Sequence, residues 1–235
     1  MNTDRPYRAA IYFAPPPGSA AWQAGSRWLG RDAATNAPLP QPRIDGMEAC
    51  TLAQLTAEPR RYGWHATLKP PFRLRQGLSL DALDSAVYAL CREWRPVPLP
   101  ALRVARLGHF LALRPEGDTA PVNALATACV QRLHALAQPL NDAELARRRR
   151  AGLSPHQDEL LRAWGYPWVL DEFRFHCSLT GDLRGTDEAQ VQSIERAAQE
   201  AFDQLPAQPI TSLAVFIERE PGADFVLHQH WELNA

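Results

Sequence analysis

Two short strings, Trp64-His65-Ala66-Thr67-Leu68 and Phe175-His176-Cys177-Ser178-Leu179, share one pattern about half a chain apart: aromatic, histidine, small residue, hydroxyl, leucine. Imidazole titrates near pH 6.5, so a histidine can take or give a proton close to neutrality. Two of them, each with a hydroxyl two residues on, are equipped for acid–base chemistry on a phosphate ester. One imidazole would remove a proton from water and the other would protonate the departing alkoxide. The hydroxyls would donate to the non-bridging oxygens of the phosphorus. His65, Thr67, His176 and Ser178 are therefore the candidate catalytic residues.

Such groups work together only if the backbone aims them at one place, and a β-strand does so because side chains alternate between its faces. Taken by twos from His65, one face holds Arg61, Gly63, Thr67 and Lys69, and the other Tyr62, Trp64, Ala66 and Leu68. Around His176 the polar face holds Arg174, Ser178 and Thr180, against an apolar face of Phe173, Phe175, Cys177 and Leu179. This alternation predicts two half-buried strands, the first ended by Pro70-Pro71 and the second by Gly181. Arg61, Lys69, Arg174 and Thr180 share the histidine faces and are the candidate substrate-binding residues. For the two arginines an ordinary salt bridge is the competing reading. A bare His-x-Ser/Thr match is weak by itself. The following leucine, the strand alternation, the flanking cations and the near-symmetric placement strengthen it.

The paired strings resemble the signature of the 2H phosphoesterase superfamily. Three longer stretches are similar to its branch associated with bacterial phosphonate-utilisation operons, an uncharacterised family. They are Ala10–Pro15, Arg61–Phe72, and Trp164-Gly165-Tyr166-Pro167 running into Asp171–His176. The resemblance spans Tyr7 to about Trp231. It departs from the family where Cys177 replaces a bulkier apolar residue and Ser178 a threonine. Cys177 is expected to face away from the site, and serine keeps the hydroxyl. The resemblance implies an α+β, bilobal fold: two pseudo-symmetric antiparallel sheets with outer helices facing a shared cleft, each giving one histidine strand. It implies one domain over residues 1–235 with lobes at about 1–117 and 118–235, strand exchange between them left open. Characterised relatives hydrolyse 2′,3′-cyclic phosphodiesters or related cyclic phosphates, or open such esters at RNA ends, without a metal ion. For this branch the operon association suggests a phosphorylated sugar intermediate.

Bulk properties set bounds. With a net charge of −1 and a pI near 6.7 there is no global basic field for gripping long nucleic acid. A small phosphorylated substrate is favoured over an RNA end. Cys50, Cys91, Cys129 and Cys177 are scattered without a C-x-x-C and read as buried thiols of a reducing compartment. No signal-peptide core or membrane-length apolar run stands out, so a cytoplasmic monomer without cofactor or membrane partner is expected.

The remaining pattern places the elements. A strand is predicted at Ala9–Phe13 and a helix capped by Ser19 through Leu29, then loop with one short helix around Met47–Thr56. Ser79 caps a helix over Leu80–Trp94, and Leu102–Leu107 and Phe110–Leu113 form a hairpin at Gly108-His109. Helices follow at Val122–Ala137, Asp142–Arg150, Ser154–Trp164 and Asp187–Leu205, and strands Leu213–Glu218 and Phe225–Trp231 close the chain. His228 and His230 could bind a metal, but no third ligand completes a set, and an exposed strand face is favoured. The run Arg147–Arg150 could touch an RNA backbone; a solvated helix face or a substrate-gating insert fits the charge balance better. His109, His134 and His156 read as turn, structural and surface residues. Tyr12, Trp64 and Trp168 read as packing rather than stacking on a ligand. A metal-independent phosphodiesterase is the expected function, and a non-catalytic phosphate-ester binding module its rival. Two titratable imidazoles favour the enzyme.

Overall fold

The computed structural model describes residues 5–150 and 152–234. Strand β1 (Arg8–Phe13) is covered on both faces. Ser19 then accepts the Trp22 N–H and starts helix α1 (Ala20–Leu29), which Gly30 closes in the left-handed region at φ 84°. The segment expected to be mostly loop holds a small hairpin, β2 (Arg31–Asp32) and β3 (Ala37–Pro38), and two short helices, α2 (Ala49–Leu55) and α3 (Ala57–Tyr62). After β4 (Ala66–Phe72) come α4 (Leu80–Cys91), capped by Ser79, and the hairpin β5 (Leu102–Leu107) and β6 (Phe110–Pro115). Helices α5 (Ala120–Arg132), α6 (Asp142–Arg149) and α7 (Pro155–Trp164) follow; α6 and α7 each open with a capping box. The chain closes with β7 (Cys177–Ser178), α8 (Glu188–Phe202), β8 (Ser212–Glu218) and β9 (Val226–Glu232).

The fold is α+β. Its main sheet runs β5-β6-β7-β4-β1-β8-β9, antiparallel throughout. The two expected half-sheets, β5-β6-β7 and β4-β1-β8-β9, join edge to edge at one residue pair, Ala66 opposite Cys177. Strands cross between the chain's halves: β8 pairs onto β1 and carries β9 on its other edge, and β7 sits between β6 and β4. One sheet face carries the main core, with Ile11, Leu68, Leu113, Cys177 and Val215 buried beneath α4, α5 and α8. The other face carries a smaller cluster of Ala10, Tyr12, Phe216 and Phe225. Among the described residues, no helix is long and apolar enough to cross a membrane.

Two strand expectations need correction. Pro70 and Pro71 do not end β4. They fill an irregularity between the pairs Ile11–Lys69 and Ala9–Phe72, where the ladder does not require their missing N–H. Around His176 the burial alternates as expected, but Cys177 and Ser178 alone form the ladder, against β6 and β4. Cys50 is also exposed rather than buried.

Trp64, beside the first histidine, stacks on Phe202 with ring centroids 5.2 Å apart. It lies so close to α1 that a Cβ on Gly25 would fall 1.9 Å from its ring. Gly25→Ala should therefore overpack this joint by about 1–3 kcal/mol. That exceeds the roughly 1 kcal/mol alanine contributes as a helix former. Thermal unfolding should show a Tm lowered by several degrees; an unchanged or raised Tm would show that the joint yields.

Candidate active site

The opposition of Ala66 and Cys177 sets the two motifs antiparallel across adjacent strands, so His65 stands across from Ser178 and Thr67 across from His176. Opposed Cα atoms in such a pair are about 4.5–5.5 Å apart. Ala66 and Cys177 point into the core, 0% and 1% exposed, which sends the histidines and hydroxyls to the opposite face. Both imidazoles are held in the same way. His65 Nδ1 lies 2.9 Å from the carbonyl oxygen of Gly63, and His176 Nδ1 lies 2.7 Å from that of Arg174, in each case two residues back. A carbonyl can only accept, so Nδ1 carries the proton and Nε2 is left for chemistry. Thr67 donates its hydroxyl to His65 Nε2 at 3.2 Å.

The backbone before His65 is shaped for this contact. Gly63 ends α3 at φ 78°, and a Cβ there would fall 2.6 Å from Ala33. The freed carbonyls of Arg60 and Arg61 accept from the buried Arg31 guanidinium at 2.8 and 3.0 Å. The imidazole of His65 lies on the Tyr12 ring at a centroid distance of 3.8 Å. His176 packs against Phe110 at 5.6 Å.

A cleft of about 320 Å³ opens over this face, lined by His65, Thr67, Ser178, Tyr12 and Phe110; His176 packs on the lining Phe110 but is not itself among the lining residues. Its remaining wall includes Arg8, Arg148 and Tyr166. Those three were not read from the sequence as site residues. Arg8 had a signal: it falls by twos on the Tyr12 face of β1. In the four-arginine run, Arg149 turns outward to Asp158 at 2.6 Å, while Arg148 turns inward over the Tyr166 ring. Arg148 Nε is buried without a hydrogen-bond partner among the described residues. The Tyr12 hydroxyl is in the same position.

The expected substrate-binding residues do not join the cleft as a set. Arg61 lies on α3, not on a strand, and its guanidinium pairs with the fully buried Glu218, the salt-bridge alternative. Arg174 folds back on the carbonyls of Asp171 and Phe173 at 2.8 and 2.7 Å, because the backbone there leaves the ladder. Thr180 lines the cleft, but its hydroxyl accepts from the Leu111 N–H and donates to the Gly181 carbonyl. Lys69 is carried off the His65 face by a register irregularity between the pairs Tyr12–Thr67 and Ile11–Lys69, and lines a neighbouring cavity.

Burial sets the electrostatics. It pushes the His65 imidazole down to about 4, with the nearby His176 lowering it further and the Gly63 carbonyl opposing. His176 is also lowered, chiefly by burial and then by the Arg114 cation, against the support of the Arg174 carbonyl. Both rings are therefore neutral at pH 7 in the free protein, and a bound phosphate anion would raise both. Among the described residues no group of three or more His, Cys, Asp or Glu side chains is placed to hold a metal ion. His228 instead bonds Asp84 at 2.8 Å, and His230 the Ser212 hydroxyl at 3.0 Å.

Comparison with known proteins gives a family and two curated relatives. The family model described as Protein of unknown function (DUF1045) matches residues 67–226. The chain is 42% identical over 229 residues to the Ribose 1,5-bisphosphate phosphokinase PhnN of Janthinobacterium sp. (strain Marseille), covering 96% of this chain and 51% of that protein. It is 44% identical over 220 residues to the protein of the same name from Laribacter hongkongensis (strain HLHK9), covering 94% and 50%. The chain thus spans about half the length of the curated relatives it matches. Among solved structures, E. coli LigT complexed with NADP+ aligns over 98% of this chain and 99% of that one, at a TM-score of 0.41 and 12% identity. An overlay of that quality does not define a shared fold.

Proposed function

The chain belongs to the DUF1045 family, and for this member we propose a metal-independent phosphodiesterase of the 2H type that hydrolyses a small cyclic phosphate ester. The substrate is a 2′,3′-cyclic phosphate or the cyclic phosphate of a phosphorylated sugar, in the phosphonate-metabolism setting that the sequence resemblance implies. One observation carries the reading: two imidazoles, each on the residue just before one of two adjacent antiparallel strands, each tied at Nδ1 to the carbonyl two residues back. That arrangement leaves two Nε2 atoms to divide the work of base and acid. The phosphokinase of the relatives' name is not carried over, since this sequence contains no G-x-x-x-x-G-K-[ST] phosphate loop. The ribose bisphosphate in that name agrees with a phosphorylated-sugar substrate.

In the step itself, neutral His65 Nε2 takes a proton from water as its oxygen bonds to phosphorus. The P–O bond to one ring oxygen breaks, and the alkoxide takes the proton from His176 Nε2. Water is added overall, the two histidines exchange protonation states, and the product is a phosphomonoester beside a free hydroxyl. On substrate binding Thr67 turns its one hydroxyl proton from His65 Nε2 to a non-bridging oxygen, which frees Nε2 for the water, and Ser178 donates to another. His65 is assigned the base because it is the ring held down to about 4.

The test is turnover with chelator present on 2′,3′-cyclic nucleotides and sugar cyclic phosphates, measured against pH. kcat/KM reports the free protein. It should rise with pH through about 4, as His65 loses its proton. It should fall through a value below the ordinary 6.5, as His176 loses its own. The expected profile is a bell with an acidic optimum, and the kcat bell should lie at higher pH because bound phosphate favours both imidazolium forms. A sigmoidal kcat/KM profile, or turnover abolished by chelator, would overturn the reading.

A further inference from the structure

Beside the histidine cleft lies a second cavity of about 270 Å³. Arg8, Pro70, Pro71 and Arg148 line both, so the two share a wall. Its chemistry is cationic. Lys69 lines it, and Lys69 is the single lysine among the 25 basic residues of the chain. Lys69 is 2% exposed, sits 4.9 Å over the Phe72 ring, and has one long hydrogen bond, 3.4 Å to the Val130 carbonyl. No carboxylate pairs with it among the described residues. Arg148 Nε and His134 Nδ1, both lining the cavity, are buried without partners among the described residues. The carboxylate on this wall, Glu144, gives both oxygens to Arg73 at 2.8 Å. A buried ammonium without an anion is costly, and evolution ordinarily pairs it or leaves it outside.

We infer that this cavity is a second phosphate subsite, in which Lys69 and Arg148 hold a phosphomonoester carried by the same substrate whose cyclic ester lies at His65 and His176. The two-group substrate rests on the phosphodiesterase reading; the phosphate site itself does not. Arg148, on the shared wall, faces both groups. Three donors on the Lys69 ammonium and the planar fork of Arg148 suit the oxygens of a phosphate dianion. A substrate without the second phosphate leaves Lys69 buried and unpaired. The subsite therefore selects doubly phosphorylated sugars over simple cyclic nucleotides.

A single lysine makes the test direct. Protein labelled with 13C at the lysine ε-carbon gives one lysine side-chain resonance, which is Lys69. Inorganic phosphate should move it saturably, Arg148→Met should weaken that response, and chloride at equal ionic strength should not reproduce it. Adenosine 2′,3′-cyclic phosphate bearing a 5′-phosphate should move it at concentrations on the order of 10–100-fold lower than the same compound without one, the range expected for charge-assisted hydrogen bonds. The ratio of kcat/KM for the two compounds should favour the 5′-phosphorylated one, and Lys69→Met, an apolar replacement of similar length, should carry that ratio toward one. A resonance indifferent to phosphate, or equal binding of both compounds, would overturn the subsite even if turnover is normal. A selective response with no turnover of either compound or of the sugar cyclic phosphates would uphold the subsite and sink the phosphodiesterase reading instead.

Discussion

His65→Ala and His176→Ala are each expected to lower kcat/KM on a turned-over cyclic phosphate by about 10²–10⁴-fold, the usual contribution of a positioned general acid or base. The two losses should not add, because each imidazole acts on a step the other completes, and the double variant should fall little below either single one. What separates this from mere damage is the pH profile of the residual activity. Without His65 the limb near 4 should vanish and leave a profile that falls with rising pH, since the acid at His176 remains. Without His176 the falling limb should vanish instead. His65 is also stacked on Tyr12, so His65→Ala opens space beside a buried ring and some loss of Tm is expected there. His176 is packed against Phe110 at the looser distance of 5.6 Å, and its variant should fold normally. Turnover that survives both substitutions, or two variants with the unaltered bell, would end the assignment of paired histidines.

How much of this site could be read beforehand follows from how local each cause is. Period-two alternation fixed which side chains leave the core at Ala66 and Cys177, because burial of one strand face is a property of the strand itself. Ser19, Ser79 and Ser154 likewise announced their helices, since a cap is satisfied within three residues. The place of Lys69, off the His65 face, was illegible for the opposite reason: an irregularity depends on the partner strand, and nothing between Thr67 and Lys69 shows that Ile11 and Tyr12 will take three residues of β4 between them. Arg61 and Arg174 failed because alternation was carried past the ends of the strands, onto a helix on one side and an unpaired segment on the other. Arg148 shows a third case. A run of four arginines cannot all face one way on a helix with 3.6 residues per turn, so one inward member is built into the geometry. Which one turns inward is set by Tyr166, beyond α7, and that contact has no signature in the run.

Glu218→Gln should be the most destabilising single substitution at the cleft's edge. Glu218 ends β8 opposite Arg8, its side chain is 0% exposed, and it accepts from Arg8, from Arg61 and from the Gly222 N–H. Glutamine keeps the shape but replaces one accepting oxygen with an NH₂ donor that faces cations or an N–H. Removing one partner of a buried ion pair costs about 3–5 kcal/mol. The groups left behind here are guanidiniums with side chains 23% and 30% exposed, so the low end, about 3 kcal/mol, is expected. For a chain of this size that is about 6–12 °C in Tm. Glu93→Gln is the control: its bidentate pair with Arg132 has the same chemistry at 2.6 and 2.7 Å, but both side chains are near half exposed, and its loss should leave Tm unchanged within error. The effect should also reach the site, because Arg8 lines the cleft and is held by Glu218 from behind. A lowered Tm accompanied by a raised KM would show that one carboxylate fixes both the end of the sheet and a wall of the site. A Tm shift no larger than that of Glu93→Gln would mean that solvent reaches the guanidiniums well enough to replace it.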